Sequence, residues 1–243
     1  MLPLTSCLAL VGILGSSFAT CHSQSYKSNL LQPVLADSQP DNIPFSTRAY
    51  WMRQANEALG SVTGNPCPFA AFGAVIVNHT AGGLGDLVCI GANLVGPTGN
   101  PTLHGEIAAI NNCTTLLTDP NGRHRLTRNE GLGAFTDLSL YTNAESCPMC
   151  ASAIRWAGFR EYIYGTTIET LVHNGWRQID LSSAVIFNQS MGLATTTHLL
   201  GEILTNETDP YFLWQFNPER ECPVGCARAH GTCLAAEIRL GQQ

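Results

Sequence analysis

His104-Gly105-Glu106 and Cys147-Pro148-Met149-Cys150 are the residues of this chain whose types and spacing can act on one atom together. One imidazole and two thiolates make a three-ligand zinc set, and three ligands leave the fourth tetrahedral position open to water. Cys147 opens an expected helix with Pro148 in its first turn, so Cys150 falls on the same face and both sulfurs reach one ion. The helix N-terminus also favours the thiolate form. His104, near the start of a second expected helix, completes the set. Glu106 is not needed as a ligand and stands where a carboxylate can move protons at a bound water. An open position beside an acid reads as catalysis, with hydroxide available near neutral pH once zinc has lowered the water's pKa to about 7. A Cys-x-x-Cys pair in an exported protein can also be a disulfide or redox pair. The His-x-Glu ahead of it, each motif on a helix start with a strand between, favours metal. The other histidines (His22, His79, His124, His173, His198 and His230) lack such neighbours.

The elements that must carry these residues follow from pattern. Ser46 is placed to cap a helix running to about Leu59, ended by Gly60 and the Gly64-Asn65-Pro66 breaker. Phe72 to Val77 is a continuous apolar run bounded by turn residues, the signature of a buried strand, and Asp86 to Asn93 is its hairpin partner. Leu103 to Leu117 is expected as a helix with Ile107, Ile110, Thr114 and Leu117 on one face and Asn112 on the opposite one. Asp137 to Thr142 and Glu161 to Thr166 read as strands around the Cys147 helix, whose stripe of Cys150, Ala153, Ile154 and Ala157 ends at Gly158. Strand-helix-strand alternation implies parallel pairing. Weaker helices are expected at Ile168 to Asn174 and Ser183 to Asn188, and a strand at His198 to Leu204. Asp209 is expected to cap a short aromatic helix from Pro210 to Phe216.

Composition bounds the setting. With 243 residues, 44% hydrophobic and 12% charged, and no repeat, the chain suits one globular core, assigned here to 45–217. Leu8 to Leu14 is a short apolar run followed by Ser17-Phe18-Ala19, so 1–19 reads as a secretory signal peptide. The run is too short to span a bilayer and no later stretch does better, so no membrane partner is expected. Residues 20–44, with Pro33, Pro40 and Pro44, read as an extended arm, and 218–243 as a Cys-rich tail. Four sequons, at Asn78, Asn112, Asn188 and Asn206, agree with export and N-glycosylation. So do the ten cysteines, because disulfides persist outside the cytosol. Setting aside Cys7, Cys147 and Cys150 leaves Cys21, Cys67, Cys89, Cys113, Cys222, Cys226 and Cys233, an odd seven, so at least one is free or paired between chains. The tail cysteines are read as disulfides, with a second zinc site using His230 as the alternative. Net charge is −6, and Lys27 is the only lysine. A phosphate-gripping surface needs cations, so polymeric nucleic acid is disfavoured as a partner. The basic cluster Arg123, His124, Arg125 and Arg128 reads as a solvated loop.

At these residues the chain resembles the cytidine deaminase-like superfamily, most closely its guanine deaminase and tRNA-adenosine deaminase branch, over about Ser46 to Phe216. Phe72-Gly73-Ala74-Val75-Ile76-Val77, Gly91-Ala92-Asn93, His104-Gly105-Glu106, Leu140-Tyr141-Thr142 and Glu145-Ser146-Cys147-Pro148-Met149-Cys150 carry the likeness. The resemblance implies a three-layer α/β/α sandwich with a mixed five-stranded sheet and zinc held between two helix starts by His104, Cys147 and Cys150. Glu106 would be the acid/base of a hydrolytic deamination that releases ammonia from a free nucleobase or nucleoside, a guanine-type purine above others. It further implies that Asn93 hydrogen-bonds the base, that Phe72 lines the pocket and that the Gly105 backbone contributes. Their plainer alternatives are a turn residue for Asn93 and a core ring for Phe72. Family members commonly form homodimers. Guanine deaminases cover their sites with C-terminal segments, for which Tyr211, Phe212, Trp214 and Phe216 are this chain's equivalent, core packing being the other reading. Two positions depart from the family: Gly105 stands where Ala is usual, and Ser146 where Pro is usual, Ser146 being placed to cap the Cys147 helix. A non-catalytic binding protein of the same fold and a tRNA-adenosine-type deaminase are the competing functions.

Overall fold

A computed structural model describes residues 43–80 and 82–236. The expected signal peptide, all but the end of the expected arm, Cys21 and the residues after 236 lie outside that range. In chain order the elements are α1 (Phe45–Thr63), β1 (Gly73–Asn78), β2 (Asp86–Ala92), α2 (Val95–Thr98), α3 (Gly105–Thr118), α4 (Arg128–Ala134), β3 (Leu138–Ala144), α5 (Pro148–Ala157) and β4 (Glu161–Thr166). They continue as α6 (Ile168–His173), α7 (Ser183–Gln189), β5 (His198–Leu200), α8 (Thr205–Thr208), α9 (Pro210–Leu213) and a hairpin of β6 (Cys226–Ala229) and β7 (Thr232–Ala235).

Five strands form one mixed sheet in the order β2-β1-β3-β4-β5. β1 runs antiparallel to both β2 and β3, whereas β3, β4 and β5 are parallel, with α5 as the crossover between β3 and β4. Strand alternation sorts the apolar side chains to two faces. Ala74, Ile76, Leu140, Tyr162 and Tyr164 pack with Ala109, Cys113 and Leu117 of α3 and Ala151 and Ile154 of α5. Val75, Val77, Tyr141 and Ile163 pack with Trp51, Met52, Ala55 and Ala58 of α1. This is the expected three-layer sandwich. On the α1 side Arg48 and Glu161, both fully buried, form a two-point ion pair with contacts of 3.2 and 2.8 Å, and Ser139 Oγ donates to the same carboxylate.

Several local expectations are corrected. Ser46 caps nothing, because α1 starts at Phe45 with Pro44 as its N-cap; Gly60 stays helical, and left-handed Gly64 ends the helix. Asp209 is itself helical, and its carboxylate accepts from Thr166 Oγ1 at 2.7 Å instead of capping α9. β5 stops at Leu200, short of Leu204. The buried face of α3 is Gly105, Ala108, Ala109, Cys113 and Leu117, while Thr114 is exposed and Ile107 and Ile110 are half-buried. Small residues explain the rotation: a Cβ at Gly91 of β2 would stand 2.4 Å from the Gly105 carbonyl and 2.3 Å from the Ala109 nitrogen, so the helix lies directly on that strand. Asn112 consequently faces β2, where its Oδ1 accepts from Ile90 N–H at 3.2 Å. Asn188 and Asn206 are exposed, and Asn78 is half-buried at the end of β1.

Three disulfides join Cys67 to Cys226, Cys89 to Cys113 and Cys222 to Cys233. Cys222 and Cys233 staple the tail hairpin, which removes the second metal site as a reading, but Cys226 reaches out of the tail to the loop before β1. In the basic cluster Arg123 pairs with Asp86 at 3.3 Å and Arg125 bonds the Gly122 carbonyl, both at the surface.

Candidate active site

Two helix starts meet at one edge of the α3/α5 layer. His104 is the N-cap of α3 and Cys147 the N-cap of α5, both with extended backbone, and Cys150 lies in the first turn of α5. Ser146 was expected in the capping role. Instead its N–H donates to the Tyr162 hydroxyl at 2.6 Å, and its own hydroxyl is buried without a hydrogen-bond partner among the described residues. That hydroxyl lies near Glu106 and opposes the upward shift of its pKa.

His104 Nδ1 stands 3.6 Å from Cys147 Sγ and 3.6 Å from Cys150 Sγ. The three ligand atoms lie within 4.8 Å of one another. Bond lengths of about 2.1 Å to nitrogen and 2.3 Å to sulfur at a tetrahedral angle require a separation of about 3.6 Å. The donor set therefore fits zinc. Cys147 and Cys150 are not joined to each other, which removes the disulfide alternative. A hydrogen bond from the Cys150 thiol, together with His104, lowers the Cys147 thiol to about 4, whereas that same bond and burial push Cys150 upward. The His104 imidazole is held above its usual value chiefly by its bond to Cys147. Glu106, in the first turn of α3, is buried, and desolvation lifts its carboxyl above the ordinary range.

His104, Glu106 and Cys147 line a cavity of about 510 Å³ that also holds Phe72, Asn93, Trp176 and Arg177, with Cys150 buried behind it. Phe72 is half-buried, its ring 5.2 Å from Trp176 and 5.0 Å from Phe212. Asn93 N–H donates to the Phe72 carbonyl at 2.9 Å, while Asn93 Oδ1 accepts from Val95 N–H at 3.0 Å, which leaves the amide Nδ2 for the cavity. Asn93 is thus both a turn residue and a wall of the site. Gly105 lies below, and a Cβ there would stand 2.6 Å from the Phe72 carbonyl oxygen. The loop bearing Phe72 is held by Asn143, whose amide bonds Gly73 N–H, the Ala71 carbonyl and Asn56. Phe212 and Trp214 are buried core residues, and Phe216 packs on Phe69 and Trp176; none of the expected lid aromatics lines the cavity.

Sequence pattern did not mark Trp176, Arg177 and Gln178, which close the cavity from the loop between α6 and α7. Glu145 holds that loop. Its Oε2 accepts from Ile168 N–H at 2.9 Å, and its Oε1 accepts from Ser183 N–H and Ser183 Oγ, each at 2.7 Å, fixing the starts of both flanking helices.

Residues 45–166 match the profile described as the cytidine and deoxycytidylate deaminase zinc-binding region. The chain belongs to that family. All three ligand residues and Glu106 fall within the matched span. Among relatives of this deaminase-family chain, the guanine deaminase of Bacillus subtilis is 34% identical over 110 residues, covering 45% of this chain and 56% of the relative. A probable cytosine deaminase of Schizosaccharomyces pombe is 31% identical over 101 residues, 42% of this chain and 50% of the relative. The chain thus spans about half the length of the curated relatives it matches. A solved guanine deaminase from Nitrosomonas europaea superposes with a TM-score of 0.49 at 14% identity, covering 83% of this chain and 97% of that one.

Proposed function

We propose that this chain is a zinc-dependent hydrolytic deaminase that converts a ring amine to a carbonyl on a free nucleobase or nucleoside, a guanine-type purine being the lead. One observation carries the reading: His104 Nδ1 stands at tetrahedral spacing from both sulfurs, and the buried carboxyl of Glu106 lines the same cavity. When bound, zinc supplies the Lewis acidity that makes water a nucleophile near neutral pH. Glu106 would take one proton from the attacking water and pass it to a ring nitrogen; as the C–N bond breaks it would take the second proton from the new hydroxyl and give it to the leaving amine, so that water and aminated ring become oxo ring and ammonia. Phe72 offers an aromatic face for the base and the Asn93 amide a donor to its edge, while Gly105, which is not among the lining residues, supports the Phe72 backbone from behind. The guanine preference draws support from the Bacillus relative's activity.

Export with N-glycosylation is part of the same proposal. It draws support from the signal-like start, the sequons at Asn78, Asn188 and Asn206, and the disulfides, while Asn112, bonded to β2, is set aside. None of the described helices is long and apolar enough to cross a membrane. Homodimer formation is carried over from the family as a proposal only. Zinc-loaded protein presented with guanine, cytosine, adenine and their nucleosides is expected to release ammonia from at least one. Glu106→Gln is expected to keep its zinc and lose about 10²- to 10⁴-fold in turnover. Release from none of them with metal intact, or full turnover in Glu106→Gln, defeats the reading.

A further inference from the structure

The polar groups of the cavity are unequal in what they offer a ligand. Glu145 lines it, yet both its oxygens are committed to three donors from Ile168 and Ser183. Glu106 sits in the metal corner. Asn93 spends its acceptor oxygen on Val95 and turns its donor inward. Arg177 and Gln178 line the same cavity, and neither makes a side-chain hydrogen bond or ion pair among the described residues. Away from the metal corner the cavity therefore presents a cation and amide donors and no uncommitted carboxylate. Arg177 is exposed, but its backbone is held: Trp176 Nε1 donates to the Phe212 carbonyl at 3.2 Å, and Trp176 N–H donates to the Leu171 carbonyl at 3.0 Å. Among the described residues Arg177 forms no ion pair, in a chain whose net charge is −6. A volume of about 510 Å³ lies within the range that encloses ligands of drug size, larger than one bare ring.

We infer that Arg177 is a specificity-determining residue that pairs with an anionic group, phosphate or carboxylate, carried by the substrate apart from its reacting amine. This deepens the deaminase proposal and rests on it for the word substrate. A planar guanidinium takes either anion through two hydrogen bonds. The free base alone leaves it unused.

The test uses the zinc-loaded full chain and matched pairs: cytidine and cytidine 5′-monophosphate, guanosine and guanosine 5′-monophosphate, and cytosine and 5-carboxycytosine. The anionic member of a reacting pair is expected to show a KM lower by about tenfold, the scale of one hydrogen bond to a charged group. Which pair shows the gain separates phosphate from carboxylate. The advantage should shrink at high salt. Arg177→Ala should bring the ratio to about one, and Arg177→Lys should keep part of it. A ratio near one in the wild type, or one unmoved by Arg177→Ala, overturns the inference. Calorimetric binding of uridine and xanthosine against their 5′-monophosphates, and of uracil against 5-carboxyuracil, needs no turnover. A preference there for one anionic member that Arg177→Ala abolishes, without ammonia release from any substrate, sustains this inference and defeats the deaminase proposal. Equal affinities within every pair defeat the inference whatever the turnover.

Discussion

Gly105→Ala tests how the site is packed. The departure from the alanine usual in the family has a cause in this structure, since a Cβ at 105 would stand 2.6 Å from the Phe72 carbonyl oxygen. Ordinary contact begins at 3.4 Å, so the carbonyl must retreat by about 0.8 Å, the difference of the two distances. That oxygen accepts from Asn93 N–H, and Phe72 and Asn93 are two walls of the cavity, so both are displaced. Overpacking of this kind costs about 1–3 kcal/mol, and better helix propensity returns up to about 1 kcal/mol. The net loss of about 0–3 kcal/mol is a fall in Tm of no more than about 12 °C for a chain of this size. Activity should suffer more than stability, because misplacing a reacting geometry by about 1 Å costs about 10²-fold. We expect kcat/KM for the best base to fall about 10- to 100-fold with zinc content unchanged. Gly133→Ala in α4 is the control, since a Cβ there meets nothing within 4 Å, and it should be neutral or slightly stabilising. Ammonia release, zinc content and thermal unfolding of both variants decide it. Full kcat/KM in Gly105→Ala would refute the claim that this glycine sets the distance between helix start and pocket wall.

Arg48→Met should cost about 3–5 kcal/mol in denaturant unfolding, because it strands the buried Glu161 carboxylate without its cation; a loss below about 1 kcal/mol would contradict that. His79, half-buried with Nε2 2.9 Å from the Tyr141 hydroxyl, has its pKa held below the ordinary 6.5 by burial. The unfolded chain then binds more protons, so stability falls as pH drops from the ordinary histidine range through the folded value. His79→Gln should flatten that part of the stability curve, and an unchanged slope would remove the assignment. Zinc binding must displace protons from the Cys150 thiol, which is pushed upward, and from His104, whose pKa is raised by Cys147. Chelator competition should therefore show affinity falling at least about tenfold per pH unit on acidification, and a pH-independent affinity would argue against this ligand set.

The metal corner was legible because its signals are local. His104 with Glu106, and Cys147 with Cys150, are fixed by spacing at helix starts, and the strands by continuous apolar runs. Glu106 needed only its neighbour. α4 also has a local start signal, the Thr127/Glu130 capping box, although Gly131 and Gly133 weaken the helix that follows it. The exposed side of α3 was misjudged because the apolar spacing of Ile107 and Ile110 says nothing of Gly91, whose lack of a side chain draws Ala109 and Cys113 inward. Trp176, Arg177 and Gln178 reach the cavity only because Glu145, more than twenty residues earlier, grips the backbone at Ile168 and Ser183. No period or motif in the chain encodes that grip.

The bond from Cys67 to Cys226 spans 159 positions and anchors the segment that leads to Phe69 and Phe72. A ribosome makes residue 67 long before residue 226, so the half-made chain already holds His104, Glu106, Cys147 and Cys150 while this anchor still lacks its mate. Covalent completion of that wall waits for the last part of the chain and for an oxidant, and a nascent chain stalled before residue 226 would carry the chemistry without the finished vessel.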